Sequence, residues 1–230
     1  MISSIIRFGF LTDVRYPVVF LSNVVSTGLF LGLLVLGGRA LEVRGIEGAL
    51  FITFIMLAAM QAPPRALEDN SSEPEEIYLY PISPMAMLIV QAISLSARTL
   101  FNFSIVYLML LLPMGLPMNT LAELWQYAPV AFLAGLGPGL LLGGLTLIFK
   151  RTGALVNLLA ILLLTGAFLP NAWMSSVGAY LPFSAAQGLM RGVTEPSTVL
   201  MACGAFLFLG VLGYLFSERL MIRMGLSGIR

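Results

Sequence analysis

Few residues of this chain could do chemistry, and their types exclude most catalytic arrangements. The sequence has no histidine, which removes the commonest catalytic base and the commonest metal ligand together. Aspartate occurs only at Asp13 and Asp69, and the single cysteine, Cys203, lies in an apolar run. A hydrolytic site within the membrane needs a positioned nucleophile and base, or paired acids, and the apolar runs of the sequence contain neither. We therefore predict no catalytic residue, no metal ligands and no cofactor bound by this chain.

The densest polar feature is acidic. Five of the eleven acidic residues lie in one short stretch, 68–76. Within it, the residues Ser-Glu-Pro-Glu at 72–75 are typical of a helix start, because acids are favourable at the positive end of the helix dipole. An apolar and aromatic run follows, and Pro81 would end the helix. We predict a short amphipathic helix over 72–81; the alternative is a solvated loop that merely tolerates the acids.

The composition of the chain indicates which kind of secondary structure must position these residues. Hydrophobic residues make up 59% of the 230 positions, charged residues only 10%, and the mean hydropathy is +0.97. A soluble domain carries about 25% charged residues, and one core of this length cannot hide so much apolar surface. The net charge of +1, without a basic stretch, predicts no nucleic-acid partner. We predict an all-α polytopic protein whose first partner is the lipid bilayer.

A membrane helix needs about 20 apolar residues, and apolar runs of roughly that size recur along the chain. They cover 16–38, 48–64, 84–120, 124–149, 152–190 and 196–217. Pro63-Pro64 is expected to end the second run, and Pro170 to divide the fifth. We predict a single permease domain over 1–230 with six transmembrane helices. Residues 171–190 combine aromatic residues with helix breakers, which favours a re-entrant or interfacial segment; a seventh span is the alternative. Residues 1–15 predict an amphipathic elbow helix at the membrane surface.

Positive charges predict the orientation of these spans. With six spans, alternate loops share a side; one side collects eight basic residues and the other three. Cytoplasmic loops are enriched in Lys and Arg, so both termini are predicted to lie in the cytoplasm, with the chain in the inner or plasma membrane of the cell. The eight are Arg7, Arg15, Arg65, Lys150, Arg151, Arg219, Arg223 and Arg230, and the three are Arg39, Arg44 and Arg191.

Polar and small residues inside the spans predict helix contacts. Arg98 interrupts the third span, and a charge there costs about 2.5–3.5 kcal/mol on insertion scales, so it should face protein, water or an interface. Gln91, Ser94 and Arg98 share one helix face, with Asn102 close by, and this polar stripe is expected to meet another helix. Arg98 itself would either snorkel or form a structural pairing, or it would take part in coupling or substrate handling. The fourth span carries five glycines that favour close helix packing: Gly135, Gly137, Gly139, Gly143 and Gly144.

Residues 67–83 resemble the cytoplasmic coupling region of ABC type-2 permeases. That family's pattern has an upstream acid, a small Gly-Thr-like pair, an acid, an apolar run, and then Pro-Leu/Ile-Ser. Here Glu68 or Glu73 matches the upstream acid and Glu75 the second one. Pro81 begins the closing Pro-Ile-Ser, while two serines replace the Gly-Thr pair. The segments 149–153, 164–170, 181–191 and 217–228 resemble further parts of the same family in the same order.

The resemblance implies a mechanical role for the chain. Such permeases carry no nucleotide site, and this sequence has no G-x-x-x-x-G-K-[ST] loop. ATP and Mg would be bound by a separate ABC ATPase subunit, and a second permease copy, identical or paralogous, would complete the exporter. The 72–81 helix would dock on the ATPase. Its docking residues would be Glu73, Glu75, Glu76, Tyr78, Tyr80 and Pro81.

By the same resemblance, spans one, two and five would face the partner permease and the substrate path. A path lined by aromatic, methionine and mildly polar side chains suits a hydrophobic or amphipathic cargo, either drug-like or lipid-like, moved out of the cytoplasm or the inner leaflet. The candidate path residues are Phe51, Thr53, Phe54, Met56, Asn157, Thr165 and Phe168.

Other functions remain compatible with the same spans. One is a haem-exporter-like permease of cytochrome maturation, which has a similar size and coupling loop. Another is a non-transporting membrane scaffold or a channel subunit, although no ring of charges or filter-like segment is visible. A membrane-embedded enzyme is disfavoured because the required nucleophile, base and acid clusters are missing from the spans.

Overall fold

The computed structural model describes residues 17–40, 46–69, 83–115, 118–150 and 152–223. Over these residues the chain is all-α, as predicted, with eight α-helices and one 3-10 helix. The helices are α1 (Pro17–Ala40), α2 (Ile46–Asp69), α3 (Pro84–Met114), α4 (Met118–Phe149), α5 (Gly153–Gly166), α6 (Asn171–Met174), α7 (Pro182–Met190) and α8 (Pro196–Arg223), with the 3-10 helix Val177–Tyr180 between α6 and α7. The predicted elbow helix over 1–15 and the predicted helix over 72–81 lie outside the described residues.

Four of the described helices are long and apolar enough to cross a membrane: Ile46–Glu68, Pro84–Met109, Leu121–Phe149 and Pro196–Arg223. A helix pairs its backbone N–H and C=O groups internally, which is what a lipid environment requires. Two shorter apolar helical segments, Val24–Ala40 and Gly153–Gly166, accompany them. By helix length and hydropathy the chain is thus a multi-pass membrane protein. The six-span arrangement stays a prediction.

Helix α2 corrects one predicted boundary. Pro63 and Pro64 do not end the second apolar run, because the helix continues through them to Asp69. Each proline removes the N–H that would bond the carbonyl four residues earlier, which frees the carbonyls of Ala59 and Met60. Both carbonyls lie against α4 at Gly139, where an added Cβ would be 2.8 Å and 3.0 Å from the two oxygens. A glycine on the neighbouring helix therefore provides the room in which the proline-containing helix continues.

Helix α3, in contrast, ends before the apolar 84–120 run does. Helix α3 stops at Met114, and Gly115 follows with φ of +60°, a left-handed conformation that glycine adopts without steric cost. The fifth run is divided at Pro170, as predicted: α5 ends at Gly166, and Pro170 lies directly before α6. Proline and glycine thus set both boundaries through backbone conformation.

Helix α2 lies at the centre of the bundle and packs on α4 along most of its length, while the other face of α4 packs on α8. Glycines make both contacts close. A Cβ at Gly135 would overlap the Met56 carbonyl of α2, and one at Gly137 would be 2.6 Å from the Phe206 carbonyl of α8. The prediction that the glycines of the fourth span serve tight packing within the chain is confirmed.

Residues 171–190 form three short helical pieces of four, four and nine residues. None approaches the roughly 20 residues needed to span a bilayer as a single helix. The last piece, α7, is buried over seven of its residues and packs on α2, α4 and α8. Only this last piece is covered by protein, whereas Ser175 after the first piece and Val177 and Tyr180 in the second are exposed; the position of the segment relative to the bilayer stays a prediction.

Candidate functional site

A cavity of about 410 Å³ lies among α1, α2, α3 and α5. This volume is within the range of about 300–1,000 Å³ that small-molecule sites occupy. The wall is mostly apolar, with a small set of polar side chains: Thr27, Gln61, Arg65, Thr99 and Asn102. Helices α1, α2 and α5 are those that the sequence resemblance assigned to the substrate path, and α3 completes the wall.

One end of the cavity, here called the aromatic end, is formed by Phe54 of α2 and Phe103 of α3. Their ring centroids are 4.7 Å apart, in a tilted pair. Phe30 of α1 packs edge-on against Phe54 at 6.4 Å, and Phe51 packs edge-on against Phe103 at 5.8 Å. Aromatic pairs at these separations attract each other beyond their shared burial, so three helices are held together here.

The other end, here called the polar end, contains Gln61 and Arg65 of α2 and Thr99 of α3. Gln61 and Arg65 are one helical turn apart and therefore share a face. Asn102 lies one turn further along α3, directly before Phe103 and thus at the level of the aromatic end. Its Oδ1 atom is buried and has no hydrogen-bond partner within the described part of the chain. A buried polar atom without a partner costs free energy, which a bound polar ligand would recover.

The predicted path residues of the second span separate into two groups. Phe54 lines the cavity, whereas Phe51 and Met56 are fully buried in the main apolar core. Thr53 is also fully buried, and its hydroxyl donates a hydrogen bond to the Ala49 carbonyl at 2.6 Å. The structure therefore brings Phe54 alone of these four to the cavity wall.

A residue that sequence reasoning missed explains the position of Thr53. Gln187 of α7 is 1% exposed, and its amide donates to the Thr53 hydroxyl at 2.8 Å and to the Leu163 carbonyl at 3.1 Å. The Leu163 carbonyl belongs to the last turn of α5, where helical acceptors lack intrahelical donors. Gln187 thus joins α2, α5 and α7 behind the cavity. No local pattern around Gln187 signals this role, because its partners are 134 and 24 residues away in sequence.

The predicted path residues of the fifth span do not line the cavity. Asn157 and Thr165 lie on the exposed side of α5, and Phe168 is half-buried against the main core. The Thr165 hydroxyl donates to backbone carbonyls of its own helix at 2.9 and 3.1 Å. The cavity wall from α5 is instead formed by Ala160 and Leu164.

The polar stripe of the third span is also divided. Asn102 lines the cavity, while Gln91, Ser94 and Arg98 lie on α3 outside its lining. All four are half-buried, as a stripe that meets other helices should be. Arg98 has an interaction partner, and Gln91 Oε1 is buried without a hydrogen bond to any described residue.

The six predicted docking residues, 73–81, lie outside the described part of the chain, but the structure shows how α2 leads into them. The Glu68 carboxylate accepts hydrogen bonds from the Thr152 backbone N–H at 2.6 Å and from the Thr152 hydroxyl at 3.3 Å. Thr152 precedes α5, so the carboxylate lies at the positive end of the α5 dipole. The Thr146 hydroxyl, 2.7 Å from that of Thr152, extends the link to α4.

The opposite end of α5 is held by a cation. The Arg191 guanidinium donates to the carbonyls of Ala167 and Leu169 and to the Asn171 side chain, the last two at 2.8 and 3.1 Å. Burial lowers the pKa of Arg191, and an arginine stays charged even so. These bonds satisfy carbonyls that follow the last turn of α5.

Sequence reasoning missed Gln61, Arg65 and Thr99 as cavity residues, although a signal existed. Gln61 and Arg65 are four residues apart on α2, as a shared helix face requires. Arg65 entered the sequence analysis only as a charge that sets orientation. The predicted end of the helix at Pro63-Pro64 placed Arg65 in a loop, which concealed the pattern.

Comparison of the chain with protein-family models, with curated proteins and with solved structures finds no match. Among the described residues, no three His, Cys, Asp or Glu side chains form a group that could hold a metal ion. The lining of the cavity offers an apolar wall, hydrogen-bonding side chains and one positive charge.

Proposed function

We propose that this chain is the membrane-spanning subunit of an ABC exporter, and that the cavity binds a hydrophobic or amphipathic substrate leaving the cytoplasm or the inner leaflet. The observation that carries the proposal is the cavity itself. It joins an aromatic end to a polar end inside a multi-pass helical protein, and it is walled by three helices of the expected path. Binding sites for small amphipathic molecules have this composition, mostly apolar with a few placed polar groups.

The contacts of Glu68 support a route for coupling to a separate ATPase. Glu68 lies five residues before Glu73, the first proposed docking residue, and it holds the start of α5 through Thr152. Helix α5 in turn supplies Ala160 and Leu164 to the cavity wall. A push on the 72–81 segment would therefore reach the cavity through the backbone of α2 and also through the Glu68 carboxylate.

The exposed side of α5 supports a second permease copy as a partner. Asn157 lies among exposed apolar residues of this helix, including Leu158 and Ile161. A side-chain amide that faces lipid loses hydrogen bonds, whereas one that faces another helix can form them. We assign this side of α5 to the contact with the partner permease, in an inner or plasma membrane with both termini in the cytoplasm.

The test is purification of the chain from its native host in mild detergent, with identification of the co-purifying proteins and an assay of vanadate-sensitive ATP hydrolysis. We expect a stoichiometric ABC ATPase. The variant Glu75→Arg should lose it or uncouple it, because the reversed charge lies in the proposed docking helix.

The matched control is Glu123→Arg, the same change near the start of α4. Residue 123 lies at the other end of α3 from the 72–81 segment, so this variant should retain the ATPase. Failure to recover any ATPase under several mild conditions would contradict the proposal and favour a scaffold or channel. Loss of the ATPase in both variants would contradict the assignment of the docking helix.

A further inference from the structure

The cavity has its charged side chain and its pair of aromatic rings at opposite ends of the α2 wall. Phe54 and Arg65 are eleven residues apart on α2, which corresponds to about 16 Å along a helix axis. On the antiparallel helix α3, Phe103 contacts Phe54, while Thr99 lies one turn nearer to the polar end. A ligand that fills this space therefore has one apolar end and one polar end.

The hydrogen-bonding and charged side chains at the polar end have no side-chain partners in the described ranges of the chain. Arg65 forms no ion pair with any described residue, and neither Gln61 nor Thr99 makes a side-chain hydrogen bond within the same ranges. The nearest described acid along α2 is Glu68, whose carboxylate is engaged by Thr152. Arg65 is exposed at the polar end, and its positive charge has no ion-pair partner among the described residues.

We infer that the cavity selects amphipathic molecules with an anionic headgroup, a phosphate or a carboxylate, bound by Arg65 with Gln61 and Thr99 while the apolar chain lies against Phe54 and Phe103. The inference rests on the proposed function, because it names the substrate class of that same cavity. Guanidinium groups form short, strong and often paired hydrogen bonds with carboxylate and phosphate oxygens. A cationic headgroup would be repelled here, and a neutral one would gain no ion pair with Arg65.

The experiment uses the full chain in nanodiscs of phosphatidylcholine and two fluorescent probes with the same alkyl chain. One probe ends in a phosphate and the other in a trimethylammonium group. We expect the alkyl phosphate to bind at least about tenfold more tightly than the alkyl ammonium. Tenfold corresponds to the lower end of the free energy that a charge-assisted hydrogen bond contributes, because the site is partly exposed. Arg65→Gln should remove that preference and leave binding of the alkyl ammonium probe no weaker than in the wild-type chain.

Two further variants separate the cavity from general surface charge. Phe54→Ala should weaken both probes to a similar extent, because it shortens the apolar wall that they share. Arg223→Gln changes an exposed arginine of α8 that does not line the cavity, and it should change neither affinity. Inorganic phosphate alone should displace the alkyl phosphate only weakly, since it lacks the chain.

Equal binding of the two probes by the wild-type chain would overturn the inference. So would an equal loss of both in Arg65→Gln, or complete displacement by inorganic phosphate, which would indicate a site for the free anion. The proposed function is judged separately by the ATPase. Recovery of an ATPase with no headgroup preference would refute this inference alone, and phosphate selectivity without any ATPase would refute the exporter and leave an anionic-lipid site.

Discussion

Replacing Gln187 with leucine should loosen the junction of α2, α5 and α7 behind the cavity. Leucine has a similar size, so the change removes hydrogen bonds without opening a large void. The wild-type amide donates to the Thr53 hydroxyl at 2.8 Å and to the Leu163 carbonyl at 3.1 Å. Thr53 keeps its own bond to Ala49, but the Leu163 carbonyl loses the donor that Gln187 supplies.

The expected cost follows from these two bonds. A hydrogen bond contributes about 0.5–1.5 kcal/mol net, and an interhelical one in a membrane protein averages about 0.6 kcal/mol. Loss of both bonds should therefore lower the free energy of unfolding by about 1–3 kcal/mol. Gln187 is only 1% exposed, and a buried polar group left without a partner costs more than one in water, which favours the upper half of that range.

The assay is unfolding of the purified chain in mild detergent by added sodium dodecyl sulfate, followed by circular dichroism. Gln126→Leu is the matched control, because Gln126 is exposed on α4 and the same change there should leave the midpoint unchanged. A double-mutant cycle with Thr53→Val should give a coupling of about 0.5–1 kcal/mol. Wild-type stability of Gln187→Leu, or full additivity with Thr53→Val, would refute the junction.

Three further changes test other contacts. Gly137→Leu should destabilise the chain by about 1–3 kcal/mol in the same unfolding assay, because a Cβ at this position would clash with the backbone of α8. The control Gly204→Leu should be neutral, because the space around Gly204 is open. Glu68→Gln removes the negative charge at the start of α5 and should lower the free energy of unfolding by about 0.3–1 kcal/mol. In a complex with the proposed ATPase it should also reduce ATP hydrolysis, measured as phosphate release. Asn157→Leu should shift the chain from dimer to monomer in light scattering of detergent complexes, whereas loss of folding or an unchanged dimer would contradict the assigned interface.

The helical class and the approximate positions of the apolar helices could be predicted from the sequence, because hydropathy over long windows reflects the cost of exposing backbone and charge to lipid. The glycines of α4 were predictable for a similar reason, since small residues grouped along one helix indicate a close neighbour. The continuation of α2 through Pro63-Pro64 was not predictable. Whether Pro63-Pro64 ends a helix depends on the space for two freed carbonyls, and that space is created by Gly139 from another part of the chain.

The candidate site was predictable in part. Phe54 was predicted to line a substrate path and Asn102 to lie with a polar stripe that meets another helix, and both line the cavity. Aromatic and polar residues within spans are informative one residue at a time. Which face of a helix turns towards the cavity depends on tertiary packing. Thr53 and Phe51 are neighbours of Phe54 in sequence yet point into the core, and α5 presents Ala160 to the cavity and not Asn157. Composition alone cannot decide between such faces.

The way in which α5 is held explains why a change at Glu68 should reach activity. Only Val156 and Leu163 of this helix are buried, so packing along its length is slight. Its ends are fixed by opposite charges, Glu68 at the start and Arg191 at the end, each matching the helix dipole. Glu68 lies beside the proposed docking segment, whereas Arg191 lies at the far end, so displacement of Glu68 would move the start of α5 while its other end stays fixed. The helix would then pivot, and its wall residue Ala160, nearer the start, would move further than Leu164. Coupling would thus change the cavity first on the side of its polar end.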